Sequence, residues 1–287
     1  MPSAPLPLHL AALPGPADWP PLAWIVVTAL ILWCGAWIWV QHVWLPRVRA
    51  RGGNWLTDVA KILLQPILEP LHHLKLENWD LVPKAAGPRG LIVVSNHTSL
   101  LDPVAIQSRI VPHVRWMMDR TQMAPSAAWF WRQQRIIPIS YGPDDAAAVR
   151  DAMAHLRDGG VLGIFPEGGV ERPQAQIRPF LEGVGALVAR SRAPVLLLWI
   201  RGTPQTDGLV TTIFSSSRTI IRALEIIDFG RERDVRAITA RLRSTLAAAS
   251  GWPLNDEMLP SVKAALEAAV TPAATAPRQD PPPRTDP

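Results

Sequence analysis

The sequence predicts an α/β fold: a mostly parallel sheet flanked by helices, preceded by an N-terminal transmembrane helix and an amphipathic helix. Three observations lead there. From residue 90 onward, short apolar runs alternate with segments of helical period, the order that builds a parallel sheet with helices on its faces. Those runs are apolar almost without interruption, as strands buried on both faces require. Ahead of them lies a stretch of 19 residues, 22–40, without a charged side chain.

Residues 1–21, "MPSAPLPLHLAALPGPADWPP", hold no periodic apolar pattern and read as a disordered proline-rich tail. Residues 22–45 read as a transmembrane anchor. As a helix, the uncharged stretch rises about 28 Å, close to a hydrocarbon core of ~30 Å. Trp19 and Trp24 sit near one end, and Trp37, Trp39 and Trp44 near the other, as interfacial belts would have them. No Lys or Arg precedes Arg47, and Arg49 and Arg51 follow it at once. That asymmetry puts the C-terminal side in the cytoplasm and the chain in the inner, cytoplasmic membrane as a single-pass protein. A cleaved signal peptide would need a basic start and a shorter apolar core. A helix buried in a core is the other reading of the stretch.

Residues 46–79 carry Val59, Ile62, Leu63, Ile67, Leu68, Leu71 and Leu74 at helical spacing, with Pro66 and Pro70 interrupting. This is the expected amphipathic helix, lying on a membrane surface or packed on the main domain.

Residues 80–250 form the expected α/β domain. Strands are predicted at 91–95, 114–118, 136–140, 161–165, 194–200 and 219–227. Helices are predicted at 99–110, 124–134, 143–160, 180–190 and 231–249. The clearest is 143–160, with Asp144 and Asp145 in its first turn and Gly159-Gly160 beyond its end. A C-terminal helix is expected over 251–270, then a second, disordered proline-rich tail at 271–287.

Composition narrows the chemistry. Cys34 is the single cysteine, which excludes an internal disulfide and argues against a thiolate zinc site. The net charge of +5 suits nucleic acid, anionic lipid or an acidic carrier protein. Basic residues are spread along the chain without a recognised motif, so no nucleic-acid partner is expected. Gly183 and Gly185 lack the third glycine of a dinucleotide fingerprint and do not directly follow a strand.

In an α/β sheet, working residues lie beyond the carboxyl ends of the strands. Two stretches occupy such places: Asn96-His97 after one strand, and Pro166-Glu167-Gly168-Gly169 after another. The first runs on as "NHTSLLD", residues 96–102. Ser99 and Asp102 fit a capping box, in which the acid bonds back to the cap amide. The same spacing lets Asp102 reach the His97 imidazole, fix its tautomer and leave the other ring nitrogen to take a proton. No G-x-S-x-G elbow supplies a protein nucleophile. Such a dyad would activate water or an alcohol brought from outside.

"NHTSLLD" resembles the N-H-x4-D motif of the glycerolipid acyltransferases, of the 1-acylglycerol-3-phosphate acyltransferase type. "FPEGG", 165–169, resembles the start of that family's F-P-E-G-T-R-S motif, at a separation usual for the family. "RIIPISYG" (135–142), "FLEG" (180–183) and "APVLLLWIRGT" (193–203) resemble its other blocks, so the likeness covers roughly 75–215. The resemblance implies acyl transfer from acyl-CoA or an acyl carrier protein to a lysolipid hydroxyl at a membrane. It implies His97 as general base and Asp102 as its orienting acid. Asn96, Glu167, Gly168, Gly169 and Arg172 are then expected to bind substrate, and amides at the start of the 99–110 helix to steady the oxyanion. No metal and no cofactor is implied beyond the acyl carrier as co-substrate. The sequence departs from the family at two arginines credited with holding the acceptor's phosphate: Tyr141 and Val170 stand there. Arg172, Arg135 or Arg178 would replace the charge, or the acceptor is a different lysolipid. A non-catalytic, membrane-anchored lipid-binding or scaffold module is the competing expectation.

Overall fold

The computed structural model describes residues 21–39, 65, 68–142, 145–173 and 175–270. Both expected tails, and residues 40–64 with Trp44 and the three arginines, lie outside them, apart from Pro21. The chain forms two compact units, Met1–Arg51 and Gly52–Pro287.

In the first unit, Pro21–Trp39 form helix α1 of 19 residues. Trp24, Ile25, Leu30, Leu32, Trp33 and Trp37 are all exposed on it. Among the described residues no helix is long and apolar enough to cross a membrane. The span expected at 22–45 therefore does not follow from the structure.

The second unit holds a seven-stranded sheet in the order β1-β7-β6-β2-β5-β3-β4. The strands are β1 (Lys75–Glu77), β2 (Leu91–Ser95), β3 (Val114–Asp119), β4 (Ile137–Ile139), β5 (Val161–Ile164), β6 (Val195–Arg201) and β7 (Ile220–Ile227). Only the β6–β7 pair is antiparallel. The helices after α1 are α2 (Asp102–Arg109), α3 (Ala128–Gln133), α4 (Ala146–Arg157), α5 (Glu182–Ser191), α6 (Leu209–Phe214), α7 (Val235–Ser250) and α8 (Pro260–Val270).

Alternation along β2 divides its side chains between two cores. Ile92 and Val94 pack with Leu156 of α4, Leu187 of α5 and Leu242 of α7. Leu91 and Val93 pack on the other face with Leu101, Ala105 and Ile106 around α2. Both faces of the central strands are thus dry, which is why these runs carry no polar alternation.

Three expectations change. The amphipathic segment 46–79 is not one helix: helical residues end at 72, and 75–77 form edge strand β1, paired in parallel with Ile220–Arg222. Leu68 is buried in the second core, so this stretch packs on the domain. The domain accordingly begins before residue 80. Residues 251–259 are irregular, and of 251–270 only Pro260–Val270 are helical. Two elements, β1 and α6, went unforeseen. Three and six residues are too short to show a period.

The parallel strands point their carboxyl ends to one edge. The chain leaves β2 there at Asn96, β4 at Ser140, β5 at Phe165 and β6 at Gly202.

Candidate active site

His97 follows β2 directly after Asn96. Asn96 is buried; its Nδ2 donates to the Ile200 carbonyl at 2.8 Å and its Oδ1 accepts from the Ile200 amide at 2.9 Å. This side chain continues the β2–β6 ladder by one rung after the main chain has turned away. The expected substrate contact from Asn96 is therefore replaced by a clamp, because both ends of its amide are already engaged in a dry place.

The clamp delivers His97 to the sheet edge. His97 Nδ1 and Asp102 Oδ2 lie 3.0 Å apart, with the imidazole 15% exposed and the carboxylate fully buried. Asp102 Oδ2 also accepts from the amides of Thr98 (2.6 Å) and Ser99 (2.9 Å). The capping and dyad readings of the sequence thus describe one group: the carboxylate closes the helix start and meets the histidine. A carboxylate beside Nδ1 selects the tautomer protonated there. Among the described residues no protein group bonds Nε2.

Four amides near the helix start are engaged within the loop: those of Thr98 and Ser99 serve Asp102, the Leu101 amide bonds Ser99 Oγ (3.2 Å), and the Asp102 amide bonds the Ser99 carbonyl (3.1 Å). These four are not offered to an oxyanion.

The ring plane of His97 is set by Phe165, stacked at 4.0 Å between centroids and 15° between planes. Trp116 of β3 stacks on the other face of Phe165 at 4.7 Å and 6°. The indole lies across β5 at Gly163, where an added Cβ would meet the ring at 2.3 Å. Sequence reasoning missed Trp116 and Gly163. The signal was there: a glycine inside an apolar strand marks a close approach.

The turn after β5 is bound to the histidine loop, since the Glu171 amide donates to the His97 carbonyl at 2.8 Å. Glu167 is 1% exposed, and neither carboxylate oxygen has a partner at hydrogen-bond geometry. Burial pushes its pKa well above the usual carboxylate range; Glu171 adds to the shift, and the His97 main chain and Arg178 offset part of it. Glu171 is also buried and raised by desolvation, with Arg178 Nε 3.6 Å away.

Gly168 has φ 81°, a left-handed conformation that favours glycine. An added Cβ there would lie 2.9 Å from Val262 and 3.0 Å from Leu181; at Gly169 it would lie 3.1 Å from Leu259. The close approach expected of these glycines is thus made by the chain's own C-terminal segment.

Tyr141 and Val170 occupy the positions of the absent arginines. Tyr141 Oη donates to the Gly168 carbonyl at 2.6 Å, and burial raises its pKa further above the tyrosine range. Arg172, expected to bind substrate, is 45% exposed and pairs with Asp207 at 2.6 Å and the Thr206 carbonyl at 3.2 Å. It is not brought to the buried carboxylates. Arg135 is exposed. Arg178 is the arginine that reaches them, and it also donates to the Glu257 carbonyl at 2.8 Å. Among the described residues no group of three or more His, Cys, Asp or Glu is placed to hold a metal ion.

One edge of a largely parallel α/β sheet thus carries a histidine–carboxylate pair and a buried acid turn. Comparison with known proteins adds to this. Residues 73–201 match the family model described as Acyltransferase. Over 119 residues the chain is 32% identical to the N-acylphosphatidylethanolamine synthase of Arabidopsis thaliana, covering 38% of this chain and 42% of that protein. The match spans less than half of that relative's length. The crystal structure of the 1-acyl-sn-glycerophosphate (LPA) acyltransferase PlsC from Thermotoga maritima shares the fold, with a TM-score of 0.55 and 18% identity over 79% of this chain and 92% of that one. Residues 73–201 are thus similar to acyltransferases, and the fold is shared with a solved glycerolipid acyltransferase.

Proposed function

We propose that the protein moves a fatty acyl group from an acyl thioester, acyl-CoA or acyl carrier protein, to the hydroxyl of a lysophospholipid or related lysolipid. The observation that carries this reading is the 3.0 Å contact between His97 Nδ1 and Asp102 Oδ2. With Nδ1 bonded to the acid, Nε2 is the basic nitrogen. It takes the proton of the acceptor hydroxyl as the oxygen attacks the thioester carbonyl. The tetrahedral intermediate expels the thiolate, which recovers that proton from the imidazolium. An ester and a free thiol leave. Asp102 orients the ring and balances its transient charge, and Phe165 holds its plane. No step requires a metal or an organic cofactor.

The acceptor side lacks the guanidinium pair that would suit a phosphomonoester dianion. Tyr141 and Val170 stand there, and two buried acids face one arginine, Arg178. This favours an acceptor with a larger or less anionic head group than lysophosphatidate. A second reading follows from the same feature and from the named activity of the plant relative: transfer to the amine of an aminophospholipid.

The exposed, uncharged α1 supports attachment at the inner membrane with the catalytic unit on the cytoplasmic side. The test is an acceptor panel supplied with labelled acyl-CoA or acyl carrier protein: lysophosphatidate, lysophospholipids with larger head groups, and phosphatidylethanolamine. One acceptor should become acylated. His97→Ala should lower kcat by about 10²–10⁴-fold, and Asp102→Asn should lower it with little change in KM. Equal turnover by His97→Ala and the parent would refute the general-base role.

A further inference from the structure

The antiparallel strands β6 and β7 are joined by a long excursion, residues 202–219, that carries α6. A two-residue turn would suffice to join such a pair. The inward side of the excursion is well made. Thr212 is buried and bonds the Gly208 carbonyl at 2.7 Å. His72 is buried, with Nε2 2.9 Å from the Ile213 carbonyl and Nδ1 2.9 Å from Ser217 Oγ. The outward side is apolar. Val210 is 70% exposed, Phe214 is 64% exposed, and Leu209 lies beside them. Val210 and Phe214 are four apart on the helix and share one face.

Two features say what meets this face. First, its base is basic. Arg201 ends β6, Arg218 precedes β7, and both are exposed. The two positions adjoin, since a Cβ at Gly202 would lie 2.0 Å from the Arg218 carbonyl. The Arg201 guanidinium lies 5.3 Å over the Trp199 ring, at the sheet edge. Exposed arginines at both ends of an excursion with an apolar tip suit anionic head groups and their acyl chains. Second, the excursion is tied to the catalytic loops. Thr203 Oγ1 lies 2.9 Å from Thr98 Oγ1, and Ser99 Oγ donates to the Pro204 carbonyl at 2.5 Å. Asp207 pairs with Arg172, next to the acid turn.

We propose that the 202–219 excursion is a membrane-docking element. Val210 and Phe214 enter the head-group boundary of an anionic bilayer, Arg201 and Arg218 meet lipid phosphates, and the His97 loop is thereby seated against the surface that holds the acceptor. This rests on the acyl-transfer reading for the identity of the acceptor, and it adds a surface outside the catalytic residues.

The test uses the full chain in vesicles of phosphatidylethanolamine and phosphatidylglycerol. In a Cys34→Ser background, single cysteines replace Val210, Phe214 or Arg157 and carry an environment-sensitive fluorophore. Arg157 is exposed at the end of α4, at the opposite edge of the sheet. Labels at 210 and 214 should shift to the blue and be quenched by lipids spin-labelled at shallow depth, while the label at 157 should respond to neither. The double variant Val210→Asp, Phe214→Asp should raise the apparent KM for acceptor in a bilayer at least about tenfold, with kcat on a short-chain, monomeric acceptor unchanged. Equal quenching at 210 and 157 overturns the proposal. A blue shift without lipid quenching, appearing with protein concentration, assigns the face to a second copy of the chain and overturns it too. Quenching needs no turnover, so inactivity toward every acceptor would sink the acyl-transfer reading and leave this one standing on its own measurement.

Discussion

At the scale of single residues, the acid turn has the clearest pH signature. The carboxyl of Glu167 is raised well above its ordinary value near 4.5, chiefly by burial. The folded state then keeps a proton that the unfolded chain releases. Its contribution to stability is fully present below pH ~4.5 and is lost as pH rises toward the folded-state value, by at most about 1.4 kcal/mol per pH unit. Glu167→Gln mimics the protonated acid and has no such dependence. Denaturant melts should show it near the parent at pH 4.5 and more stable than the parent at pH 8. A gap that stays constant across this range would mean that Glu167 is ionised in the fold.

At the scale of elements, the amide of Asn96 joins β2 to β6 where the ladder would otherwise stop. Asn96→Ala strips partners from the Ile200 amide and carbonyl inside the core. With about 1–3 kcal/mol for each stranded group, thermal or denaturant unfolding should show a large loss. KM for the acceptor should change little, in contrast to a substrate contact. The main elements were legible in the sequence because both of their periods are strong. Dry strands read as apolar runs, and α4 declares itself from Ala146 to the glycines beyond Arg157. His97 and Asp102 were legible because five residues separate them across a strand-to-helix turn. The stack was not, since Trp116 and Phe165 meet only through the β3–β5 pairing. Nor was the role of Gly168 and Gly169: their close neighbours lie some ninety residues on, at Leu259 and Val262. Local pattern cannot reveal a distant packing partner.

At the scale of the whole molecule, the matched acyltransferase region ends at residue 201, yet the site is finished by later parts of the chain. Leu259 and Val262 are buried against the acid turn. Trp252 packs on Trp199 at 5.5 Å, and Arg243 bonds the carbonyls of Arg178 and Asn255. Leu259→Ala should therefore lower the unfolding free energy by about 2–5 kcal/mol. A passive tail would move it by no more than about 0.5 kcal/mol. Calorimetry on the full chain separates the two.

The pairing of β1 with β7 also orders events in time. Lys75, Leu76 and Glu77 hydrogen-bond with a strand made some 145 residues later, and Arg222 then grips Glu77 at 2.6 Å. While a ribosome is still delivering the middle of the protein, this short ribbon has no mate, and β6 has an open flank where β7 will lie. Synthesis must pass Ile227 before either edge is sealed. Until then the nascent chain presents two unpaired borders, which makes this interval its period of greatest exposure to mispairing and to chaperones that bind extended segments.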